Sequence, residues 1–138
     1  MKVYAYVQFR GRCAEAVAFY QEHLGASAIE AMPFRGSPAG AMVPEEWQDK
    51  VLHVSMMIGD SVLMGSDGMP GQTVAAMQGC SLALSTDSVV QAERIFGALA
   101  QGGTVTMAFG PSFFAERFGM VTDQFGVSWM VVYGSQSS

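Results

Sequence analysis

The stretch GGTVTMAFGPSFFAERFGMVTDQFGVSWMVV, residues 102–132, decides the fold of this chain. It opens on Gly102-Gly103, a pair that stops a helix. Runs rich in β-branched and aromatic residues follow near Thr104 to Phe109, Phe118 to Thr122 and Val127 to Tyr133, and each predicts a strand. Asp123 to Gly126 turns the chain between the last two. Just upstream, Val89, Ala92, Ile95, Phe96 and Leu99 recur at helical spacing, so Ser88 to Gln101 predicts a helix that Asp87 or Ser88 can cap. Cys80 to Thr86 precedes it as a strand. The second half therefore reads strand, helix, three strands.

The first half reads in the same order. Val3 to Phe9 is a strand broken by Gly11, and Cys13, Ala16, Val17, Tyr20 and Leu24 mark a helix ending at Gly25. Ala26 to Met32 is the next strand. Leu52 to Ile58 and Ser61 to Ser66 flank Gly59-Asp60, a hairpin turn signal. Phe19 and Gly25 stand 77 residues before Phe96 and Gly102, so the helix and its stop recur in step. The fold class is α+β: two tandem βαβββ units, about 1–68 and 79–134, within one domain spanning 1–138. The expected arrangement is curved, mostly antiparallel sheets around a cleft, with the helices on the outer face. Residues 33–50 hold Pro33, Gly36, Pro38, Gly40 and Pro44 and read as an irregular connection with a short helical turn near Glu46; a loop of that length is functional or mobile.

Composition narrows the function classes. A net charge of −5 with only seven Lys and Arg speaks against a nucleic-acid partner, whose phosphates need clustered cations. No run approaches the ~20 apolar residues of a membrane span, and the N-terminus reads as a first strand, so the expected compartment is the cytoplasm. Half the residues are hydrophobic and 14% are charged. That apolar surplus suits an oligomer interface or an apolar cavity. Cys13 and Cys80 lie in no metal or redox pattern and read as small buried hydrophobes. The eleven Met residues suit core and pocket lining alike.

FRGRCAEAVAFYQEHLGA (9–26), HVSMMIGDSVLMGSD (53–67) and the opening stretch together resemble the vicinal oxygen chelate superfamily, the glyoxalase/bleomycin-resistance fold, and within it the PhnB-like branch. The Arg-aromatic-Gly of Arg117 to Gly119 and the D-x-F-G-x-x-W of Asp123 to Trp129 carry most of that resemblance. The family's habit, with the apolar composition, implies a homodimer. Metal-dependent relatives set four His, Gln or Glu ligands on the concave sheet face, and the resemblance places those positions at Ala5, Met64, Ser81 and Met130. None suits a divalent metal that seeks oxygen or nitrogen: Ala has no donor, Ser is a poor neutral one, and thioethers suit soft ions. The neighbours Tyr4, Tyr6, Leu63, Gly65, Leu82, Trp129 and Val131 offer nothing better. No metal or other cofactor is expected.

His53 is the catalytic candidate. With the hairpin turning at Gly59-Asp60, alternation puts His53, Ser55, Met57, Val62, Met64 and Ser66 on one face. There His53 can accept a proton, donate to a ligand, or stand as a structural histidine held by backbone or by the 33–50 loop. The expected ligand-binding set is His53, Ser55, Met64, Ser81, Phe113, Phe114, Met130 and Trp47, with Trp47 as a lid or a contact to a second subunit. His23 belongs to the first helix's end, where a cation suits the dipole. Glu116 and Arg117 pair with each other or clamp an anion. Two functions compete: a small-molecule binding or sequestering protein with an apolar cleft, and a PhnB-like enzyme (lyase, isomerase or dioxygenase-related) using His53 in a metal-independent or non-classical site. A methyltransferase finds no support, because no Gly-rich loop follows a strand as a nucleotide-cofactor fold requires. The expected ligand is a small, partly apolar molecule.

Overall fold

The computed structural model describes residues 1–72 and 75–134. It divides into two compact units, Met1–Val74 and Ala75–Ser138. The first holds β1 (Ala5–Gln8), α1 (Cys13–Leu24), β2 (Ser27–Pro33), β3 (Val51–Ile58) and β4 (Ser61–Ser66). The second holds β5 (Leu82–Thr86), α2 (Val89–Ala100), β6 (Thr104–Gly110), β7 (Arg117–Thr122) and β8 (Ser128–Tyr133). Each unit is a four-stranded mixed sheet with one helix, in the orders β1-β4-β3-β2 and β5-β8-β7-β6. The first and last strands of a unit pair in parallel, and the other neighbours are antiparallel. This is the α+β fold the sequence implied.

In the first unit the helix ends where Gly25 takes a left-handed conformation (φ 67°) and its N–H donates to the Tyr20 carbonyl. Cys13, Ala16 and Tyr20 of α1 are fully buried with Phe9, Val54 and Met56. Gly65 makes this packing possible, since a Cβ there would overlap the Phe9 ring. In the second unit Ser88 caps α2 by accepting the Gln91 N–H. Its apolar face buries Ala92, Ile95, Phe96 and Leu99, and among the core strand residues are Val121, Trp129 and Val131. Gly119 leaves room for Phe96 and Phe109, whose rings lie 5.2 Å apart.

The connection between β2 and β3 is more ordered than its composition implies. It contains two 3₁₀ turns, Pro38–Met42 and Glu45–Trp47. Gln48 Nε2 donates to the carbonyls of Gly40 and Val43, and Phe34 and Val43 are buried beneath. Arg35 bridges Asp49 and Glu45, and that guanidinium holds the Asp49 carboxyl below its ordinary range. The segment is thus a self-bonded surface loop. Among the described residues, no helix is long and apolar enough to cross a membrane.

The turn inside D-x-F-G-x-x-W is closed by one buried carboxylate. Asp123 Oδ1 accepts the N–H groups of Phe125 (2.9 Å) and Val127 (3.0 Å), and Oδ2 accepts the Trp129 indole N–H (2.9 Å). Asp123→Ala strands three buried donors and should cost about 3 kcal/mol or more of unfolding free energy. Asp123→Asn keeps an acceptor for the backbone but points an amide at the indole N–H, and should cost roughly half that. Urea denaturation of the two variants checks the order.

Candidate functional site

The β3–β4 hairpin has the expected pairing, with Ile58 opposite Ser61 and Ser55 opposite Met64. Val54, Met56, Leu63 and Gly65 are buried on the helix side. Alternation leaves His53, Ser55, Met57, Val62, Met64 and Ser66 on the opposite face. Most of these are half-buried, while Ser55 and Ser66 are buried. A shallow depression lined by Lys2, Val3, Tyr4, Met57, Asp60, Ser61 and Val62 adjoins the hairpin end of this face.

The parallel pairing of β1 with β4 corrects the sequence reading. Ala5 lies opposite Leu63, on the helix side, and Tyr6 lies opposite Met64. The residue that shares the face of Met64 is therefore Tyr6. Its hydroxyl sits 3.1 Å from His53 Nδ1, and the two rings are 5.7 Å apart. Burial pushes the Tyr6 phenol above its ordinary range, the Cys13 thiol adds to this, and a hydrogen bond with Ser66 opposes it. Ser66 Oγ is itself fixed by accepting the Gly68 N–H (2.9 Å). Tyr6, His53 and Ser66 so form a polar end to a face whose middle is thioether and alkyl. Asp67, one residue beyond, is 3% exposed and accepts the N–H groups of Cys13 and Val51, both at 2.7 Å. The sequence reading missed Tyr6 and Asp67.

In the second unit Ala83 is opposite Met130, and Ser81 lies one pleat away with its Oγ 2.8 Å from that of Ser128. Ser81 and Met130 thus share a face. Met130, Met120 and Phe114 pack on a cluster of Ala115, Phe118 and Val132. Phe114 meets Phe118 edge-on at 4.9 Å, whereas Phe113 is 98% exposed. Ser112 holds their loop by accepting the N–H groups of Phe114 and Ala115. Within the second unit, then, Ser81, Met130 and Phe114 occupy one side of the sheet and Phe113 points away into solvent.

Trp47 is committed within its own unit. Its indole N–H donates to the Gly68 carbonyl (2.9 Å), its ring lies against Gly11, and Lys50 Nζ sits 5.8 Å from the ring centre. It fastens the 33–50 loop beside the β1–α1 turn. Arg117 donates to the Glu116 carbonyl (2.8 Å), and His23 packs at a tilt against Phe19, with ring centres 4.5 Å apart, near the end of α1. Among the described residues no three His, Cys, Asp or Glu side chains converge on a common point. In the first unit Tyr6 and Met64 offer a phenol and a thioether, and in the second Ser81 and Met130 offer a hydroxyl and a thioether; neither pair suits a divalent metal that seeks oxygen or nitrogen.

The cysteines differ from one another. Cys13 is buried as expected, but Cys80 is exposed, because it precedes β5 outside the core. Burial, with Asp67 alongside, pushes the Cys13 thiol up to about 12. Under native conditions a thiol reagent should label Cys80 alone, and Cys13 only after unfolding; two native thiols would contradict this. The folded thiol keeps its proton up to about 12, whereas the ordinary value is 9.0. The stability tied to that proton is therefore full below 9.0 and falls as pH rises through the window.

Residues 1–132 match the family model described as 3-demethylubiquinone-9 3-methyltransferase. Protein YjdN of Escherichia coli (strain K12) is 34% identical over 142 residues, covering 95% of this chain and 94% of YjdN. The crystal structure of protein PA1353 from Pseudomonas aeruginosa superposes with a TM-score of 0.86 at 42% identity, over 97% of this chain and 98% of that one. A putative 3-demethylubiquinone-9 3-methyltransferase, PhnB protein, from Bacillus cereus gives a TM-score of 0.83 at 21% identity, over 97% and 100%. Glyoxalase/bleomycin-resistance/dioxygenase structures at 12% and 15% identity share the fold. The chain belongs to the 3-demethylubiquinone-9 3-methyltransferase family and has the fold of the glyoxalase/bleomycin-resistance structures.

Proposed function

We propose that this family member is a small-molecule binding or sequestering protein that works without a divalent metal, holding a partly apolar ligand on the sheet face opposite the helix. The pairing of Tyr6 with Met64 carries the reading, because a phenol beside a thioether is a poor ligand set for a divalent metal and a good contact surface for a partly apolar molecule. Met57 and Val62 extend the apolar strip beside Met64, and thioethers make favourable contacts with aromatic rings. Ser81, Phe114 and Met130 suit a similar role in the second unit. The Tyr6–His53 hydrogen bond favours a second reading, a metal-independent enzyme in which His53 accepts a proton.

Equilibrium dialysis against 2-methylnaphthalene tests the binding reading. The full chain should bind it, and Met64→Glu should weaken binding at least about tenfold by setting a carboxylate against the ring. Failure of the native chain to bind the probe sinks the reading. Dialysis against Mn, Ni, Zn and Fe followed by elemental analysis should leave well under one metal per chain; one tightly held metal per chain would overturn the metal-free part.

The partner in this reading is a second copy of the chain. β2 and β6 are sheet edges that expose Ile29, Met32, Val105 and Met107, each between 43% and 57% exposed. Unpaired edges with apolar side chains are surfaces that proteins ordinarily cover. Light scattering at micromolar concentration should return the mass of two chains, and a monomer mass removes the inference.

A further inference from the structure

The depression at the hairpin end of the first unit's face is lined by one cation and one anion, Lys2 and Asp60. Among the described residues neither has an ion-pair partner. We propose that this depression binds a zwitterion, an α-amino acid with an aromatic side chain, whose carboxylate meets Lys2 and whose ammonium meets Asp60. This deepens the binding reading by naming a ligand class. It shares Met57 and Val62 with that reading but does not use Met64.

The backbone brings these groups together. Tyr6 and Met64 lie side by side across the parallel strands, and two residues back along each chain stand Tyr4 and Val62. Alternation turns Tyr4 and Val62 to the side that Tyr6 and Met64 occupy, and Met57, opposite Val62, joins them. Two further steps back reach Lys2 and Asp60, the latter in the turn between β3 and β4. All five residues line the depression, whose volume of about 590 Å3 lies within the range of small-molecule sites. The Met57 thioether, the Val62 side chain and the Tyr4 ring give it an apolar lining that suits an aromatic group.

Charge selects the ligand. A lone carboxylate drawn to Lys2 also meets Asp60, so attraction and repulsion largely cancel. A lone ammonium drawn to Asp60 meets Lys2 in the same way. A zwitterion answers both charges at once, and a neutral ring answers neither. Both side chains are exposed, so each contact is a solvent-screened pair and the gain in affinity is modest.

Equilibrium dialysis of the full chain at neutral pH compares probes that share one ring system: 2-naphthylalanine, 2-naphthylacetate, 2-naphthylethylamine and 2-methylnaphthalene. 2-Naphthylalanine should bind about fivefold more tightly than each of the others, the return of two exposed ion pairs. Lys2→Gln leaves only the Asp60 carboxylate and should make 2-naphthylethylamine the tightest probe. Asp60→Asn leaves only the Lys2 ammonium and should make 2-naphthylacetate the tightest. Both positions are exposed, and Asn suits a turn as Asp does, so the variants keep the fold. Equal affinity for 2-naphthylalanine and 2-methylnaphthalene, a singly charged probe binding tightest to the native chain, or a preference unchanged in both variants overturns the proposal and leaves the apolar-binding reading standing. Binding of 2-naphthylalanine without 2-methylnaphthalene supports the proposal and removes that reading alone. Binding of neither overturns both.

Discussion

The Asp67 carboxylate sets the geometry on which the first unit's face depends. It accepts the N–H of Cys13 at the start of α1 and the N–H of Val51 at the start of β3, while its own backbone continues β4. Three element ends are therefore tied to one side chain that is 3% exposed. A carboxylate at a helix N-terminus also opposes the helix dipole and satisfies a donor that has no partner within the helix. His53 stands two residues past Val51 and Ser66 one residue before Asp67, so the position of both polar groups follows from this junction. The second unit meets a similar need with Asp123, which serves a turn and an indole instead of a helix end.

Strand alternation converts that junction into chemistry. Gly65 lets the Phe9 ring pack on the helix side of the sheet, and the residues on either side of it, Met64 and Ser66, turn to the other face. Once β1 pairs with β4, Tyr6 is on that face and Ala5 is not. A one-residue shift would put a methyl where the phenol stands and would leave His53 without its hydrogen bond. The face is chemically polarised along its length, from a Tyr–His–Ser end to a methionine and valine strip.

Much of this was legible in the residues. The helix stops at Gly25 and Gly102-Gly103, the hairpin at Gly59-Asp60 and the strand-helix-strand order all rest on local spacing and turn chemistry. The Ser55–Met64 pairing followed from the turn alone, because a tight hairpin fixes the alignment of its own strands. The 33–50 segment was less legible. Its prolines and glycines announce irregular backbone, but they do not tell that Gln48, Arg35 and Trp47 bond it into a compact loop. Cys80 was misjudged because a cysteine's burial depends on where the neighbouring strand begins, a matter of a residue or two.

By itself, then, the sequence determined the two βαβββ units, the family, and the thioether side chains at Met64 and Met130. Those follow from periodicity, turns and residue identity, which are local. Tertiary structure alone decided that Tyr6 joins His53 and that Ala5 turns away. The parallel neighbours β1 and β4 are separated in the chain by a helix and two other strands, so no local pattern fixes their alignment. It is fixed by burial: Val7 and Phe9 must face the core with Leu63 and Gly65, and Tyr6 is left to the opposite side.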